Sequence, residues 1–217
     1  MTYPHAHKGV VKIFLGALFE VLASILVFAA AILLALPESA NANSVTALTA
    51  AYLTIGGGFL AILAFIFQLI GLFQAKPDEK NFANALWAIF LNIVLVLARI
   101  ALGFIQQSWA STTVSVLNSV DSALSCVVIC YILTAISNLT LNLNEKGFSV
   151  RGRLIRGILV VLFLLSFAMN MMSTFIRPNE EVTRVMGIIA IIAAGAELLA
   201  HIWYFFYLGR ACRKLRK

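Results

Sequence analysis

The sequence predicts an all-α polytopic membrane protein, a bundle of six transmembrane helices with both termini in the cytoplasm. Composition is the first reason. Of 217 residues, 62% are hydrophobic and 12% charged, which leaves too little polar surface for a chain that folds in water. Length is the second: each of six apolar runs exceeds the roughly 20 residues that cross about 30 Å of hydrocarbon. The third is the placement of positive charge. Alternate connecting segments, starting with the first and ending with the last, carry 13 of the 16 Lys and Arg residues. The segments between them hold only Arg177 and Arg184, and Arg99 lies inside a run. Such alternation is the positive-inside bias, in which Lys and Arg stay on the cytoplasmic side.

The first span is expected over 10–36, ending at Pro37. It is longer than the 7–15-residue core of a cleavable signal peptide and contains Glu20, so it reads as a retained helix. A small-polar loop, Pro37 to Ser44, leads to the second span at 46–74. Within it, Gly56-Gly57-Gly58 marks a bend or a close helix contact. Lys76 to Lys80 form a cytoplasmic turn, and Asp78 and Glu79 complement the dipole of the third helix, 82–107. The fourth span covers 113–138. Asn142 to Arg153, with Gly147 and Gly152, is the longest expected loop, and the fifth span follows at 154–176. Asn179, Glu180 and Glu181 cap the sixth helix, 182–209.

Aromatic residues suit this register. Trp87, Trp203, Tyr204 and Tyr207 fall near the cytoplasmic interface and Trp109 near the outer one, where amphipathic rings concentrate. The connections are too short to hold a soluble domain. The chain, 1–217, therefore reads as one membrane domain of three helical hairpins.

A charge near the bilayer centre costs about 2.5–3.5 kcal/mol, so it should face the bundle and be paired. Arg99 and Asp121 lie at similar depth on helices joined by a short loop, which predicts an ion pair between them. Such a pair serves as a clasp between helices or as part of a substrate or ion site. Asn118, Asp121, Ser122, Ser125, Cys126 and Cys130 form a polar face at helical spacing, and Asn92 on the third span adds to it. Glu20 and Glu197 share a second depth, with His201 four residues beyond Glu197.

Gly16, Glu20, Ala23 and Ser24 make a small-residue stripe on the first helix, and Ala190, Ala193 and Ala194 make one on the sixth. If those stripes meet, as membrane helices often do, two carboxylates and an imidazole converge. Carboxylates that close share a proton or hold a cation. The candidate substrate- or ion-binding residues are thus Arg99, Asp121, Glu20, Glu197, His201, Asn92 and Asn118.

Other chemistries find little support. One membrane histidine falls short of the three ligands of a catalytic zinc site. No His-Glu-x-x-His, Gly-x-Ser-x-Gly or P-loop pattern occurs, so neither an enzyme nor a cofactor is expected. Cys126 and Cys130 share a helix face but are too far apart to bridge easily, and Cys212 reads as an ordinary thiol at the membrane edge. Asn138-Leu139-Thr140 matches a glycosylation acceptor but falls on the cytoplasmic side, so it is expected to stay unmodified.

The net charge of +7 points away from nucleic acid. It points toward anionic lipid headgroups beside Arg210, Arg213, Lys214, Arg216 and Lys217. A membrane-protein partner or a second copy of the chain remains open. Short loops and the absence of an organelle address suit a bacterial plasma membrane, entered as a multi-pass cell-membrane protein.

In length, helix count and topology the chain resembles the substrate-binding subunits of energy-coupling-factor vitamin transporters. That family carries Ala-x-x-x-Ala on its first and third helices. Here Ala31 and Ala35 match it on the first, at its outer end, and the third has no match. Two functional expectations result: a small-molecule or ion transport or binding subunit, and a non-enzymatic accessory or assembly protein of a larger membrane complex.

Overall fold

The computed structural model describes residues 3–34, 45–104, 108–175 and 180–216. Side chains are described there except at 103, 108–112, 115, 170, 173–175, 180–188, 190–191, 193–194 and 197. The expected loop Pro37 to Ser44 and the Asn179 cap lie outside the described residues, as do the side chains of Trp109 and Glu197. The described chain is all-helical: α1 (Pro4–Leu34), α2 (Val45–Ala75), α3 (Lys80–Gly103), α4 (Ser108–Asn142), α5 (Lys146–Phe175) and α6 (Glu180–Leu215). Among the described residues five of the six, α1 to α5, are long and apolar enough to cross a membrane. Each helix packs on its neighbour in sequence, and α1 closes the ring on α6. Large apolar side chains such as Ile55, Phe59, Val94, Leu97, Val161 and Phe206 face outward. A surface so apolar suits hydrocarbon rather than water.

The closest helix pair is written in the sequence at a spacing of seven. Gly9, Gly16, Ala23 and Ala30 are buried on α1, and Ala50, Gly57, Ala64 and Gly71 on α2. The two sets meet antiparallel. A Cβ placed on Gly71 would fall 2.6 Å from the Gly9 carbonyl oxygen, and one on Gly16 would fall 2.8 Å from that of Ala64. One on Gly57 would lie 3.3 Å from the Ala23 carbonyl oxygen. Backbones thus touch along the whole pair, the way membrane helices gain dispersion energy without a hydrophobic driving force. Gly16 and Ala23 therefore pack on α2 rather than on α6. Gly56-Gly57-Gly58 acts as a close contact through Gly57, and α2 runs through it unbroken.

The helices outrun the predicted spans at the Lys/Arg-rich end. α1 begins at Pro4, α4 ends at Asn142, α5 begins at Lys146 and α6 ends at Leu215. The expected loop from Asn142 to Arg153 is accordingly a three-residue turn followed by helix. Asn144 takes the left-handed conformation (φ 61°). The Glu145 N–H donates to the Thr140 carbonyl (2.9 Å) and the Asn144 N–H to that of Leu141 (3.0 Å). This is the Schellman termination, with asparagine in the place where glycine is commonest. Gly152 lies inside α5, where the hydroxyls of Ser137 and Tyr207 occupy the space a Cβ would need. Thr140 of the glycosylation triplet is fully buried, and its hydroxyl donates to the Ile136 carbonyl (2.8 Å).

That end also holds the core. Val10, Ile13, Leu72, Phe82, Ile132, Leu133, Ile136, Leu139, Ile155, Leu208 and Ala211 form one buried cluster. Tyr204 and Tyr207 belong to it, 2% and 4% exposed, so they are not interfacial aromatics as expected. Tyr207 stacks on Phe148 with centroids 4.4 Å apart. Trp87 and Trp203 are exposed, as an interfacial position requires. Cys212 packs against the same cluster, and burial pushes its thiol up to about 11, which keeps it protonated and unreactive.

The turn between α2 and α3 divides its two acids. Glu79 caps α3, accepting from the Asn81 N–H at 3.4 Å. Asp78 reaches instead to α1, where its carboxylate accepts from the Ala6 N–H at 2.6 Å. One acid thus ties the α2–α3 turn to the start of α1, across 72 residues of sequence. Asp78→Ala should destabilise the bundle by about 1–2 kcal/mol, the range for lost N-caps. Asp78→Asn should keep most of the stability. A melting curve in mild detergent that is the same for Asp78→Ala and the parent would refute the role.

Candidate functional site

The packing that closes the basic end loosens toward the other end, where α1, α2, α4, α5 and α6 surround a cavity of about 830 Å³. It starts at the level of Glu20 and His201 and extends past Phe28, Gly58, Ser119 and Phe167. Room for it comes from small residues: Ala23, Ala31, Gly57, Gly58 and Ala61 line the α1–α2 side. Close packing of those two helices uses Gly57. Gly58, the next residue round, meets nothing within 4 Å and borders the void.

Polar groups on the wall come chiefly from α4. Ser119, Asp121, Ser122, Ser125 and Cys126 line it, joined by Glu20 and Ser24 from α1, Thr54 from α2, Ser166 from α5 and His201 from α6. Several hydroxyls have already spent their protons on their own helices. Ser24 donates to the Glu20 carbonyl (2.9 Å), Thr54 to that of Ala50 (2.8 Å) and Ser122 to that of Asn118 (3.1 Å). What each retains is oxygen lone pairs. Two carboxylates add to these, so the wall is rich in acceptors. Phe28, Phe163 and Phe167 supply ring faces beside them.

Of the expected residues, Arg99 and Asp121 are brought together as an ion pair, Nη1 to Oδ2 at 3.4 Å, with side chains 34% and 28% exposed. The same Arg99 nitrogen donates to Asn118 Oδ1 at 2.6 Å. About two turns back along α3, Asn92 Nδ2 donates to the Asp121 carbonyl and to Ser125 Oγ, both at 3.4 Å. Arg99 and Asn92 are not among the cavity-lining residues; Asp121 and Ser125 are. The α3 groups therefore sit behind the wall and hold the α4 groups in place. Asn118 points the same way, toward Arg99.

Glu20 and His201 face the cavity together and lie within electrostatic reach of each other. They meet because α1 closes the ring on α6. Phe14 stacks on Phe205 at 4.7 Å, and Gly209 admits the Phe14 ring at 3.1 Å from where a Cβ would stand. The meeting of Glu20 with Glu197 involves a side chain outside the described residues. Tyr204 lies within electrostatic reach of Glu20, its hydroxyl fully buried and, among the described residues, without a hydrogen-bond partner. Sequence reasoning missed Tyr204, Thr54, Phe28, Phe163 and Phe167 as neighbours of the site. Only Thr54 left a signal, standing on the same helical face as Gly57, Gly58 and Ala61. Among the described residues no group of three His, Cys, Asp or Glu is placed to hold a metal ion.

No family model, no curated protein and no solved structure matches the chain.

Proposed function

We propose that this multi-pass membrane protein binds, and moves across the membrane, a small organic cation held in the cavity between α1, α2, α4, α5 and α6. One observation carries the reading: a void of about 830 Å³, within the 300–1,000 Å³ of small-molecule sites, whose polar wall holds Glu20, Asp121 (paired with Arg99 behind it) and hydroxyl lone pairs, with His201 and Cys126 beside them. Such a wall accepts hydrogen bonds and has few to give, so a ligand that donates, an ammonium or guanidinium, satisfies it. Phenylalanine faces favour the same charge through the ring quadrupole and accommodate an apolar body. His201 stands beside Glu20 on the same wall.

With the Lys/Arg-rich ends in the cytoplasm, the cavity runs outward from the level of Glu20 and His201, and the packed core lies on its cytoplasmic side. The small residues Gly16 and Ala23, which favour the alternative of an accessory protein binding other membrane helices, are already covered by α2.

A panel of small organic amines, with neutral and acidic molecules of equal size, tests the proposal by thermal shift of the purified protein. Amines should raise the melting temperature selectively. Glu20→Gln and Asp121→Asn should each weaken the best amine by about tenfold or more, the cost of losing one charge-assisted hydrogen bond. Uptake of that amine into whole cells, slowed by the same variants, tests transport and orientation together. A cavity that prefers acids, or carboxamide variants that bind amines as tightly as the parent, would end the reading.

A further inference from the structure

A second cavity, of about 560 Å³, lies at the basic end between the first turns of α5 and the last turns of α6. Its lining is four cations and one acid, Arg151, Arg210, Arg213, Lys214 and Glu145, with Gly147 and Phe148. Lys214 Nζ stands 2.6 Å from Glu145 Oε1, so that pair neutralises itself. Arg151, Arg210 and Arg213 remain, and among the described residues none of the three has a carboxylate partner. Three guanidinium groups around one void repel one another unless an anion sits between them.

Their placement is built rather than scattered. Arg210, Arg213 and Lys214 share one face of α6 at spacings of three and four. Arg151 stands one turn along α5 from Gly147, whose missing side chain leaves that end of the void open. The Phe148–Tyr207 stack locks the two helices in this relation. The planar fork of arginine matches phosphate oxygens two at a time. The site also falls where the predicted spans end, at the level of lipid headgroups, and basic clefts between helices at that level take anionic heads.

We propose that this cavity is a phosphate site, occupied by the phosphodiester headgroup of an anionic lipid in the basic-side leaflet. It is separate from the organic-cation cavity at the other end, and neither reading depends on the other.

The full chain in nanodiscs of phosphatidylcholine, with and without phosphatidylglycerol, provides the test by lipid retention in native mass spectrometry and by thermal shift. Phosphatidylglycerol should be retained in preference to phosphatidylcholine and should raise the melting temperature. Removing the three arginines (Arg151→Gln, Arg210→Gln and Arg213→Gln together) should weaken retention by about 100-fold, each guanidinium in direct contact with the phosphate contributing a factor of roughly five. An equal loss of charge outside the cavity (Lys146→Gln, Arg153→Gln and Arg216→Gln together) should weaken it less than about threefold. Inorganic phosphate in phosphatidylcholine nanodiscs separates the sources: stabilisation by phosphate without lipid selectivity assigns the same site to a soluble phosphate. If both triple variants lose lipid alike, the attraction is diffuse and the site does not exist. It is equally overturned if the unmodified protein prefers neither phosphatidylglycerol nor phosphate.

Discussion

Gly71→Val is expected to abolish assembly of the bundle, the largest effect of any single substitution considered. The first carbon of the new side chain would fall 2.6 Å from the Gly9 carbonyl oxygen and 2.9 Å from the Ile13 backbone nitrogen. Both are backbone atoms, and neither can rotate away. Overpacking a core costs about 1–3 kcal/mol where side chains can adjust; here two helices would have to separate along their whole seam. Gly71→Ala should already cost about 2–3 kcal/mol, and valine should leave little monodisperse protein after extraction in mild detergent. Gly157 is the control, because a Cβ there meets nothing within 4 Å. Gly157→Ala should be neutral or stabilise by up to about 1 kcal/mol, the helix propensity difference. Equal yields and melting temperatures for Gly71→Val and Gly157→Ala would show that α1 and α2 do not pack through this stripe.

The second large effect belongs to the α3–α4 clasp. Removing either member of the Arg99–Asp121 pair leaves a charge in a low-dielectric setting, at about 2.5–3.5 kcal/mol on insertion scales. Arg99→Ala should be the worse single change: it strands the Asp121 carboxylate and frees Asn118, whereas Asp121→Ala leaves Arg99 its 2.6 Å bond to Asn118. Removing both should cost less than the sum, with a coupling of about 1–3 kcal/mol in equilibrium unfolding. Exchanging the two residues should recover part of the loss. Additivity within about 0.5 kcal/mol would mean that the pair contributes nothing as a pair. The proposed function supplies a further distinction. Arg99 stands behind the cavity wall and Asp121 on it, so Asp121→Asn should lower ligand affinity more than it lowers stability, and Arg99→Ala the reverse.

Why some of this was legible in sequence and some was not follows from where each kind of information resides. The Arg99–Asp121 contact could be read because the two helices are consecutive and the residues share a depth. Arithmetic along two hairpin arms then suffices. Glu20 was matched in depth with Glu197, one turn short of His201, but α1 and α6 are the ends of the chain. Only ring closure, seated by Phe14 on Phe205 and Gly209, brings them to one wall.

Gly16 and Ala23 were visible as part of a small-residue stripe on the first helix. Which helix it packs against was not, because a small-residue face suits any equally small partner. Helix ends on the basic side were misjudged for a different reason. Hydropathy marks where hydrocarbon ends, whereas these helices continue past it, paired with one another by Leu139, Phe148, Tyr207 and Leu215.

Sequence alone was enough for the class of the protein, an all-helical chain with helices long and apolar enough to cross a membrane. Apolar run length and the distribution of 16 basic residues are sums over local segments, and each segment meets the bilayer on its own terms. Rotation of each helix about its axis was left to the tertiary structure. That rotation decides that Gly57 packs while Gly58 borders a void, and that Tyr204 is core rather than interface. It also puts Asp121 on a wall with Glu20, 101 residues apart in the chain. The physical reason is that, in lipid, outward apolar faces are nearly equivalent, so only contact between helices chooses among them.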